Sequence, residues 1–441
     1  MKRALENKLL EWRSAPGRMP LLLRGARQTG KTYLVREFAK QNFPNLLEIN
    51  FELNPEFKKV FETLEPDQIL KQLSLLSPVR ITGETLLFFD EIQTCPRALM
   101  ALRYFYEKRP DLHVIGAGSL LDFCLSDKEL RVPVGRIQYL YLQPLSFQEF
   151  LLALGELPLK KYLEEISLEE KPSEPVHQKL CKILKDYLIT GGMPAVVNQY
   201  LQDPTSRNYQ NQQTLLLQTY RDDFGKYSSQ ARRFYLETVF ASAPRMVGQR
   251  YKYSHVDPDC QSRDLKEALA LLERAGVLYR VPAVSGHGLP FHINDKKFKI
   301  LFLDVGLMQR GCGLDAEIVT ADDFLAINRG ALAEQFVGQE LLVSLNPYED
   351  RQLFFWARDS KNSQAEVDYV VTDRGKIIPI EVKSGKTGTL RSLHLFMKEY
   401  HASLGLRLSG QPLSYHDQIL SIPLYAVSEI PRLLETVRAI P

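Results

Sequence analysis

The feature that most constrains this chain is a glycine-bounded turn, GARQTGKT, set between a short apolar strand and an amphipathic helix. It fits the spacing G-x-x-x-x-G-K-[ST] with Gly25, Gly30, Lys31 and Thr32. Pro20 to Leu23 precede it as a strand, and Leu34, Val35 and Phe38 follow at helical spacing. Glycines let the backbone close around phosphate oxygens. The amides of Ala26, Arg27, Gln28, Thr29, Gly30, Lys31 and Thr32 then become donors, and the new helix adds its positive end. Lys31 is expected on the β and γ phosphates of a nucleoside triphosphate, and Thr32 on Mg²⁺. The alternative, a plain glycine turn ahead of a helix, leaves the lysine and threonine unexplained.

A phosphate loop needs a metal partner at the tip of a nearby strand, and TLLFFDEIQ supplies one. Four apolar residues, Leu86 to Phe89, end in Asp90 and Glu91. Asp90 is expected to hold Mg²⁺ directly or through water, and Glu91 to polarise the attacking water. Without the loop, the same pair reads as a helix cap. The next strand ends in HVIGAGSLL, where Ser119 either orients that water or caps the following helix. Arg136, ahead of the strand Ile137 to Leu142, is read in two ways. It either stabilises the phosphoryl transition state, in its own subunit or a neighbour's, or it is a surface arginine.

From residue 20 to about 150, apolar strands alternate with helical patterns, which predicts a parallel sheet with helices on both faces. The expected strands are Pro20 to Leu23, Leu46 to Phe51, Leu86 to Asp90, Leu112 to Ile115 and Ile137 to Leu142. Helices are expected at Lys31 to Lys40 and Arg97 to Lys108. The total length of 441 residues suggests about three domains. We divide it into 1–150, a P-loop domain; 151–325, a helical region; and 326–441, a separate α/β domain.

In the middle region, residues 155–175 read as a charged, proline-punctuated surface excursion, and TGGMP (Thr190 to Pro194) as a break between helices. SRDLKEALALLERAGVLYRVPAV gives an amphipathic helix, a glycine cap at Gly276 and a β-rich exit. That order fits the end of a winged helix-turn-helix, and equally any helix followed by a hairpin. A formal charge of only +3 excludes a bulk polycation, so DNA contact would need local patches. Arg232, Arg233, Arg245, Arg250 and the DKKFK run (Asp295 to Lys299) are the candidates; solvated faces explain them too. The five cysteines are widely spaced with no C-x-x-C pair, so neither a disulfide framework nor a zinc site is indicated, and a reducing compartment is the expectation. No apolar run reaches a membrane span. A cytoplasmic protein is the expectation.

The last third contains AEVDYVV (residues 365–371) and PIEVKSG (379–385). Strand alternation puts Asp368 on one face and Val367, Tyr369 and Val371 on the other, and likewise Glu381 and Lys383 opposite Ile380 and Val382. Paired as a hairpin, Asp368, Glu381 and Lys383 converge. A preceding helix, GALAEQFVGQELL, adds Glu334. This order of residues is similar to the PD-(D/E)XK nuclease pattern, in which carboxylates bind Mg²⁺ and the lysine supports the attacking water. A half-buried hairpin with a charged outer face is the structural alternative. Residues 330–441 carry 12 Lys plus Arg against 13 Asp plus Glu, where a nuclease usually shows a basic track.

GARQTGKT, FFDEIQ, GAGSLL, PLSFQEFL, YLITGGMP and FLDVGLM together resemble the prokaryotic AAA-type ATPases that carry a C-terminal domain of unknown function. The resemblance implies an ATP-binding core, a winged-helix middle and a restriction-endonuclease-like end. It also implies ATP and Mg²⁺ as cofactors and hydrolysis coupled to DNA or to a protein partner, with oligomerisation open. The competing expectation is an ATP-sensing switch or adaptor whose nuclease-like domain does not cut.

Overall fold

The computed structural model describes residues 1–119, 135–227, 230–285, 288–314, 330–348, 352–358, 365–383 and 389–438. Several expectations fall outside them: the boundary at 325/326, Cys124, Leu120 and Leu121 of GAGSLL, and the last two residues of PIEVKSG. The chain divides into two compact units. The first is Met1–Gln143 with Arg274–Gly276 and Asn346–Asp350; the second is Pro144–Glu273, Val277–Leu345 and Arg351–Pro441.

In the first unit five strands, β1 (Leu21–Arg24), β2 (Asn45–Asn50), β3 (Thr85–Asp90), β4 (His113–Gly118) and β5 (Gln138–Tyr141), form one sheet in the order β2-β3-β4-β1-β5. Every pairing is parallel. A parallel sheet is covered on both faces, which is why Leu21 to Leu23 and Leu86 to Phe89 are unbroken apolar runs. Alternation then sorts them. Leu22, Leu87 and Phe89 pack with Phe61, Leu102 and Phe105. Leu21, Leu23, Leu86 and Phe88 pack on the other face with Trp12, Leu34, Val35 and Phe38. The helix Lys31–Asn42 buries its Leu34, Val35, Phe38 and Ala39 stripe there. Because the strands run the same way, Arg24, Asn50, Asp90, Gly118 and Tyr141 end at one edge. Strand β4 lies between β1 and β3, so Ser119 emerges between the glycine turn and Asp90.

The second unit holds an eight-stranded sheet of β6 (Leu278–Ser285), β7 (His292–Phe302), β8 (Phe354–Ala357), β9 (Glu366–Asp373), β10 (Lys376–Val382), β11 (Gly405–Ser409), β12 (Ser414–His416) and β13 (Ile419–Pro423). Their order is β12-β13-β11-β10-β9-β8-β6-β7. Strands β8, β9 and β10 form an antiparallel meander. The helix Arg391–Tyr400 then carries the chain to β11, parallel to β10. The helix Ser262–Arg274 and the β6–β7 hairpin form in the expected order, but β6 also pairs in parallel with β8. The hairpin is therefore continuous with the C-terminal sheet. The surface excursion expected at 155–175 is corrected at its start: Leu157–Glu165 is a helix, because Leu159 and Leu163 fall on one buried face.

One helix of this unit, Ala331–Ser344, is buried on all sides from Ala331 through Leu342. Its polar residues are tolerated because each finds a partner. Gln335 accepts from Phe302 N at 2.8 Å and donates to Phe302 O at 2.7 Å. Gln339 accepts from Val305 N at 2.8 Å and donates to the Tyr187 hydroxyl at 2.8 Å. Glu340 accepts from Phe147 N at 3.0 Å, and burial pushes its carboxyl up to about 8.

A second buried polar joint explains two of the sequence motifs. Asp304, fully buried, accepts from Gly192 N at 2.7 Å and from Leu307 N at 3.0 Å, the latter capping the helix Val305–Cys312. YLITGGMP and FLDVGLM thus meet at one carboxylate. Gly191, at φ 76°, is required there, since a Cβ would lie 2.1 Å from Asp304 Oδ1. Replacing Asp304 with alanine strands two buried amides and costs about 2–4 kcal/mol of stability. Chemical denaturation followed by circular dichroism measures this loss.

Candidate functional site

The turn after β1 is built by close approach. At Gly25 a Cβ would sit 2.3 Å from the Leu142 carbonyl oxygen, so only glycine passes that strand. Gln28 and Gly30 take positive φ of 62° and 93°, and the helix starts at Lys31. The Thr29 hydroxyl, buried, donates to Ala26 O at 3.0 Å and tightens the turn. Arg3 fixes it from outside: its guanidinium donates to Thr29 O at 2.9 Å and Gln143 O at 2.5 Å.

Lys31 is 7% exposed, and its ammonium donates to Gly25 O at 3.0 Å and Ala26 O at 2.8 Å. Both partners are neutral. Burial therefore lowers the Lys31 pKa to about 8, against the opposing pull of Glu91 and Asp90. Thr32 Oγ1 donates to Asp90 Oδ2 at 2.9 Å, and Asn50 Nδ2 donates to the same oxygen at 3.1 Å. Burial raises the pKa of Asp90 while the Thr32 bond opposes it. Glu91 follows at φ 50° and accepts from Gln93 Nε2 at 2.5 Å. Burial, with Asp90 adding, raises its pKa too. The Ser119 hydroxyl is buried with no hydrogen-bond partner among the described residues.

Lys31, Thr32, Asp90 and Glu91 thus come together, with Ser119 at the neighbouring strand tip. Arg136 does not join them. It lies two residues ahead of β5, about 20 Å of chain away from the turn, with Nε 3.4 Å from Glu107 Oε1. Its side chain is 47% exposed. Arg3, Asn50 and Gln93 were not singled out in the sequence. Arg3 carries no pattern; Asn50 and Gln93 do lie beside a strand tip and the D-E pair.

The C-terminal residues also meet, around a lysine the sequence reading had counted as surface charge. Lys299 on β7 is 2% exposed, and its ammonium lies 2.8 Å from Glu334 Oε1, 2.6 Å from Glu366 Oε1 and 3.2 Å from Asp368 Oδ1. Asp368 Oδ2 accepts from Val382 N at 2.9 Å. Arg250 Nε donates to Glu366 Oε2 at 2.9 Å, and Lys383 Nζ to Glu381 Oε1 at 2.5 Å. Burial raises the pKa of Glu334 and of Glu381; Lys299 opposes it at Glu334, and Lys383 opposes it at Glu381, where Asp368 adds. Lys299 goes up despite burial because three carboxylates surround it. The signal for Lys299 was its setting in KFKILF, a charge embedded in an apolar strand; for Glu366, its place two residues before Asp368 on the same face.

The expected basic patch is largely consumed inside the unit. Arg232 pairs with Glu267 at 3.0 Å and Arg233 with Glu237 at 2.7 Å, while Arg250 and Lys299 serve the cluster just described. Among the described residues no group of three or more His, Cys, Asp or Glu is arranged to hold a metal, and no helix is long and apolar enough to cross a membrane.

Replacing Arg3 with alanine removes two charged hydrogen bonds from the turn. Nucleotide affinity is then expected to fall about tenfold with the fold retained, measured by titration with a fluorescent nucleotide.

Comparison with known proteins divides the chain into three matches. Residues 17–151 match the AAA domain family, 181–317 a domain of unknown function (DUF8612) and 329–426 another (DUF4143). No curated protein matches. The chain is similar at 14% identity to a signal transduction ATPase with numerous domains from Pyrococcus horikoshii, which carries a tetratricopeptide repeat sensor. That likeness has a TM-score of 0.26 and covers 79% of this chain but only 46% of the other. The Aeropyrum pernix ORC2 protein, in ADPNP and ADP complexes, is 12% identical at TM-score 0.32, with 72% and 93% covered. AMPPCP-bound DnaA from Aquifex aeolicus is 14% identical at TM-score 0.27, with 60% and 74% covered. These overlaps are too loose to carry an argument. The family match and the turn geometry make residues 17–151 an AAA-type P-loop NTPase domain.

Proposed function

We propose that the chain is a Mg²⁺-dependent ATP hydrolase whose nucleotide state acts on its second unit, and through it on DNA or a protein partner. The observation that carries this reading is the 2.9 Å bond from Thr32 to Asp90, which joins the glycine turn to the acidic strand tip. The donor set fits Mg²⁺: one hydroxyl and one carboxylate, leaving positions for phosphate oxygens and water. The turn's amides and the N-terminus of the helix Lys31–Asn42 fit a phosphate chain. When bound, the metal would neutralise charge on the β and γ phosphates.

The chain's own residues do the rest. The amides from Ala26 to Thr32 bind phosphate oxygens, and Lys31 moves from two neutral carbonyls to the γ phosphate. Thr32 and Asp90 hold the metal, with Asn50 fixing the carboxylate. Glu91, made more basic by burial and by Asp90, takes the proton of the attacking water. Gln93 aims it. The unpaired Ser119 hydroxyl contacts the γ phosphate or the water. Arg136 has no part in this site; in an oligomer it is free to serve a neighbour.

For residues 326–441 we propose a PD-(D/E)XK-like fold. Its supports are the β8–β9–β10 meander, the helical crossover to a parallel β11, and the placement of Glu334, Asp368, Glu381 and Lys383 around one end. Of the two expectations for it, a metal-dependent nuclease and a non-cutting docking module, the buried Lys299 favours the second. The winged-helix reading of the middle rests on the helix Ser262–Arg274 and the β6–β7 hairpin.

Lys31→Ala should abolish nucleotide binding, whereas Glu91→Gln should bind ATP with kcat reduced by about 10²–10⁴. Phosphate release and nucleotide titration on both variants test this; undiminished turnover in Glu91→Gln removes Glu91 as the base. Because binding uses the charged form of Lys31, apparent affinity should hold below about pH 8 and fall by up to about tenfold per pH unit above it. Titration from pH 7 to 9.5 reads the break.

A further inference from the structure

A PD-(D/E)XK-like centre implies a divalent metal, and the residues present do not fit one. We propose that the Lys299 ammonium stands permanently where that metal would bind, so the centre is closed to metal-dependent phosphodiester cleavage. The inference rests on the nuclease-like reading of residues 326–441.

Space comes first. The Lys299 nitrogen lies at 2.8, 2.6 and 3.2 Å from oxygens of Glu334, Glu366 and Asp368. Mg²⁺ demands about 2.0–2.1 Å from its oxygens. An ion shared by the same three oxygens would overlap the nitrogen, so one excludes the other.

Saturation comes second. An ammonium has three donors and no acceptor, and three carboxylates take all three. Two of their three other oxygens are engaged as well: Asp368 Oδ2 by Val382 N and Glu366 Oε2 by Arg250. Lys383, which would support a metal-bound water in a working centre, instead holds Glu381. Among the described residues, Glu381 Oε2 is a buried carboxylate oxygen there without a partner.

Enclosure comes third. In sheet order Lys299 on β7 is three strands from β9, about 14 Å across a flat sheet and beyond one side chain's reach. The sheet must curl to bring them together, and the Phe355 ring, 5.4 Å from the nitrogen, packs against the cation. Lysine therefore enters from the β6–β7 hairpin as part of the fold. It also locks that hairpin to the carboxylate face, so the ion set does structural duty that a metal would otherwise do.

The test uses the full chain without nucleotide: wild type, Lys299→Ala, Lys299→Met, and each of these with Asp368→Asn. Mn²⁺ binding is read by electron paramagnetic resonance and thermal midpoint, and cleavage by plasmid nicking. Wild type should show no Asp368-dependent Mn²⁺ binding and no nicking. Lys299→Ala should gain Mn²⁺ binding that Asp368→Asn removes, with the midpoint rising about 2 °C at tenfold excess over Kd. Lys299→Met keeps the packed stem and gives the same gain should the alanine variant fail to fold. Asp368-dependent Mn²⁺ binding or nicking by wild type overturns the closure while leaving the nuclease-like fold standing. Folded Lys299 variants that take up no Mn²⁺ overturn the substitution of ammonium for metal, and the nuclease-like reading of the fold with it.

Discussion

Burying an ionised side chain costs several kcal/mol unless opposite charge or aligned polar groups meet it, and each unit of this chain is organised around one lysine under that constraint. The two are solved in opposite ways. Lys31 is held by two neutral backbone carbonyls, with the nearest carboxylates acting only through space, and its proton is loosened. Lys299 is held by three carboxylates, and its proton is tightened. A lysine whose charge is under-compensated gains by meeting a polyanion. One that is already saturated gains nothing from a new partner. The same residue type thus marks a ligand site in one unit and a finished joint in the other.

The surrounding fold follows from where each charge must sit. In the first unit, a parallel sheet buried on both faces brings every strand tip to one edge. Inserting β4 between β1 and β3 leaves room there for the loop, the D-E pair and a bare hydroxyl side by side. In the second unit, a helix buried on all sides has to answer for every polar atom it carries. Glu334, Gln335, Gln339 and Glu340 do so by bonding three separate segments around it. Buried polar joints of this kind give up little stability when complete and a great deal when broken, so they set register as much as they hold.

How much of this could be read from the residues divides along the same line. The glycine turn, the acidic strand tip and the five strands of the first sheet are local patterns, with spacing along the chain fixed by backbone geometry, and they form within one to three residues of where alternation puts them. Thr32 and Asp90 could be paired because their motif carries its geometry with it. Lys299 could not, since its partners are 35 to 69 residues away and reach it only because the sheet curls. A charge count along the sequence left Lys299, Arg232, Arg233 and Arg250 open as DNA contacts or solvated faces; Arg232 and Arg233 are half-exposed, whereas Lys299 is buried. What composition lacks is the pairing, and paired charges contribute no field for DNA. For Arg136 the sequence left a transition-state role and a surface arginine open; β5 runs toward the site, and Arg136, ahead of its first residue, is left exposed beside Glu107.

The charge inventory of the C-terminal cluster takes the argument one step further. Glu334, Glu366, Asp368 and Glu381 face Lys299, Arg250 and Lys383, four potential negatives against three positives. With all four ionised the set is one charge negative, and burial already raises the pKa of two of them, which moves the balance toward neutrality. A divalent ion added to this set without expelling Lys299 would leave a net positive charge at the site, whose buried unpartnered oxygen among the described residues is Glu381 Oε2. Expelling Lys299 would instead require the β6–β7 hairpin to give up its anchor and carry a buried ammonium out to water.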